Sequence, residues 1–168
     1  HLKKFEEAIQ NWNKAITINP NYADAYNNRG NALLKLGKTG LSLKDFKMAI
    51  KINPNYAEAY NNIGNAYNAN QKIDDAILNY KKAIKLNSNF AEAYNNLGNL
   101  LKEIGKIDEA KKYEDKLLSL KPDDIDIKIN VALSISPIVS SIDEINYCRN
   151  QYKKGLDLLK KYQYFSER

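Results

Sequence analysis

The run Ala-Tyr-Asn-Asn-Xaa-Gly-Asn begins at Ala25, again at Ala59 and again at Ala93, a fixed step of 34 residues. A period of that length, with no strand and helix alternation inside it, is the signature of a helical repeat array. The same step relates Gly30, Gly64 and Gly98, Ala49 and Ala83, and Pro20 and Pro54. A small-residue slot at Ala76 steps forward to Ala110 and back to Ser42 and Ala8, which places the start of the pattern ahead of residue 1.

Each unit holds two amphipathic segments. Tyr60, Ile63, Gly64 and Tyr67 fall at spacings of three and four, which puts them on one face of a first helix. After Asn70-Gln71-Lys72, a second helix is expected from Ile73, Ala76, Ile77, Tyr80, Ala83 and Ile84. Asn87-Ser88-Asn89 ends it, and Pro20, Pro54 and Pro122 sit near the same stop in the other copies, where proline cannot continue a helix. Small residues at Gly64 and Ala76 facing bulky ones at Tyr60 and Tyr80 allow the two helices to approach closely as antiparallel neighbours. One pair cannot bury its own apolar face, so copies must stack.

The run Tyr60, Ile63-Gly64, Tyr67, Ala76, Tyr80, Ala83, with Pro54 before it, resembles the tetratricopeptide repeat. The resemblance implies an all-α, right-handed superhelix, an α-solenoid of antiparallel helix pairs with a C-terminal extra helix. Residues 1–126 are expected to form the array, with a partial repeat at 1–22 and full repeats at 23–56, 57–90 and 91–124; residues 127–168 are expected to be capping or connector helices. Three departures stand out. Arg29 occupies the position of Ile63 and Leu97, a costly place for a guanidinium unless it reaches solvent or a partner. Glu114 replaces the aromatic of Trp12, Phe46 and Tyr80, and Ser88 replaces proline.

Composition excludes several function classes. The chain has 168 residues, 43% hydrophobic and 27% charged, with Cys148 its only cysteine, His1 its only histidine and Met48 its only methionine. A disulfide framework, a Cys/His zinc site and a Ser-His or Cys-His catalytic pair are therefore not expected. Cys148 is expected to be a packing residue. No apolar run approaches the ~20 residues that cross a bilayer, and no secretory leader is read at the start. The expectation is a cytoplasmic chain with no membrane partner, no cofactor and no enzymatic activity of its own. Opening on His1 in mid-repeat, it reads as a fragment.

A net charge of +6 raises nucleic-acid binding as a candidate function. Lys81-Lys82, Lys111-Lys112, Lys153-Lys154 and Lys160-Lys161 are dispersed among acidic residues, however, and read as a solvated face, so no nucleic-acid partner is expected. Asparagine is the more specific signal. Each first helix carries three at the same offsets: Asn27, Asn28 and Asn31; Asn61, Asn62 and Asn65; Asn95, Asn96 and Asn99. Stacked first helices would align them into ladders, and an amide both donates and accepts, which suits it to an extended peptide backbone. All nine are candidate peptide-binding residues, with Asn28, Asn62 and Asn96 foremost. A carboxylate clamp is disfavoured, because Asn27, Asn61, Glu92 and Asn96 stand where basic residues would be wanted.

Beyond Pro122-Asp123-Asp124 the match fades. Ile125 to Ile135 can still form a helix that Pro137 ends. Ser141-Ile142-Asp143-Glu144 reads as a capping box opening a last helix from about Ile142 to Lys161. The stretch from Pro137 to Ile145, with Arg149, Tyr152 and Gly155-Leu156, resembles the connector between tetratricopeptide repeats and the catalytic region of SPINDLY-type proteins, relatives of O-linked N-acetylglucosamine transferase. That resemblance implies a substrate-recruiting arm, with Asn28, Asn62 and Asn96 matching groove asparagines. The catalysing α/β domains of such a transferase would lie outside this chain. The alternative is a plain assembly scaffold, in which Phe5, Ile9 and Trp12 of the opening helix invite end-to-end self-association.

Overall fold

The computed structural model describes residues 2–133 and 142–166. Among them are nine α-helices and no strand: α1 (Leu2–Ile18), α2 (Ala23–Lys35), α3 (Thr39–Ile52), α4 (Ala57–Ala69), α5 (Ile73–Leu86), α6 (Ala91–Glu103), α7 (Ile107–Leu120), α8 (Ile125–Leu133) and α9 (Ile142–Ser166). The chain divides into two compact units, His1–Ala93 and Tyr94–Arg168. In the first, α2 pairs with α3 and α4 with α5, while α1 packs on α2 and α3 on α4. In the second, α7 packs on α8 and α8 on α9.

Two recurring devices cut the chain into helices of this length. Each first helix ends in a residue with positive φ: Gly37 at 72°, Gln71 at 58° and Gly105 at 77°. Around each, two backbone bonds close back over the last turn, as from Lys72 N–H to the Tyr67 carbonyl at 2.9 Å and from Gln71 N–H to the Asn68 carbonyl at 2.9 Å. This is the left-handed helix stop for which glycine is best suited. Lys3 holds the equivalent position ahead of the first second helix, and there the chain is already helical, as part of α1.

The second helices stop differently. Asn19, Asn53 and Asn87 each accept, through Oδ1, the backbone N–H two residues on, at 3.0, 3.1 and 3.0 Å. The asparagine turn works with proline next (Pro20, Pro54) and with Ser88 alike, which is why the loss of proline in one copy leaves the helix end unchanged.

Within a pair, contact depends on a glycine facing a ring. A Cβ built on Gly30 would lie 2.6 Å from Cε1 of Phe46, and one on Gly64 would lie 2.5 Å from Cε1 of Tyr80. Phe46 and Tyr80 are buried, together with Ala25, Ala59, Ala49, Ala76 and Ala83. Phe46, Ile63 and Ala66 form a core across α3 and α4, flanked by Leu34, Leu43, Ile50 and Tyr67. In the second unit, Tyr94 and Tyr113 meet with ring centroids 6.2 Å apart. Lys111 lies 4.6 Å from the Tyr147 ring centroid and donates to its hydroxyl at 2.9 Å, tying α7 to α9.

Asp124 caps α8 by accepting the Ile127 N–H at 3.1 Å. α9 continues five residues beyond the expected end at Lys161. Pro137 and Ser141 lie outside the described residues, as do the side chains of Glu144 and Cys148.

Two substitutions test the packing. Gly64→Ala drives a methyl into the Tyr80 ring and should cost about 2–3 kcal/mol. Gly98→Ala meets nothing nearer than Glu114 Cγ at 3.6 Å, so helix propensity governs and stability should rise by up to ~1 kcal/mol. Urea denaturation distinguishes the two signs. By the same measurement, Gln71→Gly should stabilise by about 0.5–1 kcal/mol, because it relieves a left-handed side chain.

Candidate functional site

The first helices carry polar residues, and the structure sorts their asparagines into two kinds. Asn62 Nδ2 donates to Asn27 Oδ1 at 2.9 Å, a bond linking α4 to α2 across two repeats. Asn27 is 2% exposed and Asn62 9%. Asn61, 1% exposed, donates from Nδ2 to Glu92 Oε1 at 3.0 Å, linking α4 to the start of α6. Asn65 Oδ1 accepts from the Tyr80 hydroxyl at 2.8 Å, within one helix pair. These four amides hold the protein together, and burial withdraws Asn27, Asn61 and Asn62 from a ligand.

Asn62, expected as a leading peptide contact, is in the structure a buried partner of Asn27. Its helix position faces the preceding repeat, and a buried amide must pair, which it does with Asn27. Asn28 and Asn31 differ. Both are half-buried and lie three residues apart on α2, and neither makes a side-chain hydrogen bond among the described residues. In the second unit, Asn95 and Asn99 are exposed on α6, and Asn96 is half-buried with a partner.

Tyr56, at the start of α4, joins the first seam. Burial, and then a hydrogen bond to Asp24, push its phenol well above the usual value, so it remains a neutral donor; Asn27 also bonds to it. Asp24, Asn27, Tyr56 and Asn62 thus form one polar seam between the first two complete repeats. Phe90 replaces Tyr56 in the next repeat and cannot take part; there Asn61 and Glu92 make the junction instead.

The costly Arg29 has found a partner. Its Nε and Nη2 donate to the two carboxylate oxygens of Asp45 at 2.7 and 2.6 Å, a bidentate pair, and Nη1 donates to Asn13 Oδ1 at 2.7 Å. The guanidinium also lies 5.4 Å from the Tyr26 ring centroid. The Asp45 hydrogen bond raises the arginine pKa further, outweighing the opposite effect of burial. Sequence reasoning identified Arg29 but not Asp45. The signal was present, because Asp45 stands where the next repeat has Asn79, so guanidinium and carboxylate depart from the pattern together.

Among the described residues there is no group of histidine, cysteine or carboxylate side chains able to hold a metal ion, and no helix long and apolar enough to cross a membrane. Phe5, Ile9 and Trp12 on α1 are half-buried, and Ile18 at its end is 85% exposed.

Asp45→Ala should cost about 2 kcal/mol by leaving a part-buried guanidinium with Asn13 but without its carboxylate. The double change Arg29→Ile with Asp45→Asn, which installs the Ile63 and Asn79 combination, should recover most of that loss in the same thermal or urea titration.

Models of the family described as TPR repeat match residues 2–37 and 64–105, and models described as tetratricopeptide repeat match 23–56, 46–77 and 91–124. No curated protein matches the chain. Among solved structures, a crystal structure of MamA is 25% identical, with 95% of this chain and 91% of that one covered and a TM-score of 0.75. MamA 41-end from Desulfovibrio magneticus RS-1 is 17% identical over 97% of this chain and 86% of its own, with a TM-score of 0.70. TTC0263, a thermophilic TPR protein in Thermus thermophilus, is 22% identical over 96% and 90%, with a TM-score of 0.69. The last two likenesses are of fold. With repeat models matching in succession from residue 2 to residue 124, the chain belongs to the tetratricopeptide-repeat family.

Proposed function

We propose that this chain is a protein-interaction module that holds extended polypeptide against first helices, through Asn28 and Asn31 in the first unit and, separately, through Asn95 and Asn99 in the second. The observation that carries this reading is the division among the asparagines. Those at the repeat seams are bonded, whereas these four have no side-chain hydrogen bond among the described residues. An unoccupied amide on a polar helix face offers one acceptor and two donors, which match the N–H and C=O groups of a peptide backbone. Family membership supports the same class of function. The finer reading, a recruiting arm for a SPINDLY-like glycosyltransferase, rests on the sequence resemblance of the tail and of Asn28, Asn62 and Asn96.

A second reading is an assembly scaffold. The half-buried Phe5, Ile9 and Trp12 beside the exposed Ile18 favour it. Light scattering separates the two readings, because a concentration-dependent rise in mass supports self-association.

The test is fluorescence polarisation with a labelled pool of unstructured peptides. Asn28→Ala with Asn31→Ala should weaken binding about tenfold, the equivalent of one or two hydrogen bonds, with the melting temperature unchanged. Asn27→Ala with Asn62→Ala should instead lower stability by roughly 1–3 kcal/mol. Unchanged binding in the first pair overturns the assignment.

A further inference from the structure

The sequence intersperses lysines with acidic residues, but the fold withdraws one sign of charge from a whole helix face. Asp45 is the only acidic residue of α3; it is 6% exposed and held by Arg29. What α3 shows to solvent is therefore cationic. Lys44, Lys47 and Lys51 are all exposed, and at spacings of three and four they lie within about 60° of one another around the helix. α5 repeats the arrangement: its acids, Asp74 and Asp75, are confined to the first turn, and every later charged residue is a lysine, Lys81, Lys82 and Lys85. Lys47 and Lys81 share one repeat position, and Lys51 and Lys85 share another. Like charges at such spacings are mildly destabilising, and Lys44, Lys47, Lys51 and Lys85 make no ion pair among the described residues. An exposed leucine accompanies each set, Leu41 at 50% and Leu78 at 67%.

We propose that the exposed faces of α3 and α5 are a second docking surface, taken by an acidic, extended polypeptide segment with aliphatic side chains among its carboxylates. This surface is separate from the asparagines of the first helices.

The chemistry of the face favours that occupant. A lysine ammonium is a compact charge on a flexible stem, suited to carboxylates whose positions are not fixed, and Leu41 and Leu78 offer contacts to aliphatic side chains. A nucleic acid matches less well. The one aromatic residue of each helix, Phe46 and Tyr80, is buried, so neither offers a ring for a base to stack on. The single arginine of the first unit, Arg29, is already held by Asp45. A bilayer surface matches less well too, because a helix lying in it must bury an apolar face there. The apolar faces of α3 and α5 are used inside the protein, by Phe46 and Ala49 and by Tyr80 and Ala83.

The probe is a fluorescently labelled peptide, Asp-Glu-Leu-Asp-Glu-Leu-Asp-Glu-Leu-Asp, with a neutral counterpart in which Asn and Gln replace Asp and Glu, followed by polarisation. The acidic peptide should bind at least about tenfold more tightly than the neutral one, and severalfold less tightly when salt is raised from about 0.05 to about 0.3 M. Lys44→Gln with Lys47→Gln and Lys51→Gln should weaken it about tenfold, with the melting temperature unchanged or higher. Lys3→Gln with Lys4→Gln and Lys14→Gln, an equal loss of charge from α1, should weaken it less than about twofold. Leu41→Ser with Leu78→Ser should weaken it severalfold. Equal losses from the two lysine triples reduce the effect to net charge and overturn the proposal, as does equal binding of the acidic and neutral peptides. Short oligothymidylate, or vesicles of phosphatidylcholine and phosphatidylserine, should displace the acidic peptide less well than its unlabelled form does at the same concentration of negative charge. Displacement that is as effective overturns the assigned occupant. None of these failures touches the first-helix reading, which rests on neutral amide contacts and falls or stands with Asn28→Ala and Asn31→Ala.

Discussion

A helix pair can close to the distance seen here only where one partner has no side chain. At Gly30 and Gly64 the position a Cβ would take lies within 2.6 Å of a ring carbon on the facing helix. That contact sets how deeply Phe46 and Tyr80 bury, and it fixes the rotation of α2 and α4 about their axes. Rotation in turn decides which residues of the first helix face the next repeat and which face outward. Asn27 and Asn62 meet because both glycines are satisfied in the same way. Where the ring is absent, at Gly98, the same register holds a charged pair and a cavity remains.

The interior is sparing with apolar bulk. Alanine fills half of the buried apolar positions among the described residues. Polar groups therefore carry a large share of the contacts between helices. Arg29 with Asp45 and Asn13 joins three helices, and Tyr56 with Asp24 and Asn27 joins two repeats. Such groups add little net stability when satisfied and cost much when stranded, so they act more as selectors of register than as glue.

Helix boundaries and pairing were legible because a 34-residue recurrence and a 3.6-residue period leave little choice, and because Gly64 opposite Tyr80 is a size complement visible in letters. The requirement that Arg29 find a partner was legible too. The identity of that partner was not, since Asp45 lies 16 residues on with no motif linking the two. The asparagine turns at Asn19 and Asn53 were obscured by the neighbouring prolines, which by themselves account for a helix end. Among the candidate amides, inward and outward positions could not be separated by pattern. Asn27 and Asn28 sit about 100° apart on the helix, and only the placement of the adjoining repeat shows that one is covered and the other is not.

Near-identical letters conceal unlike joints. The junction ahead of α4 is made by Asn27, Tyr56 and Asn62, and the one ahead of α6 by Asn61 with Glu92. Each is a lock cut for a single key. Shuffling the cassettes, or lengthening the array by duplicating one of them, would set Phe90 against Asp24 or orphan a buried amide, even though the consensus would read unbroken. The order in which these modules follow one another is therefore written into their seams.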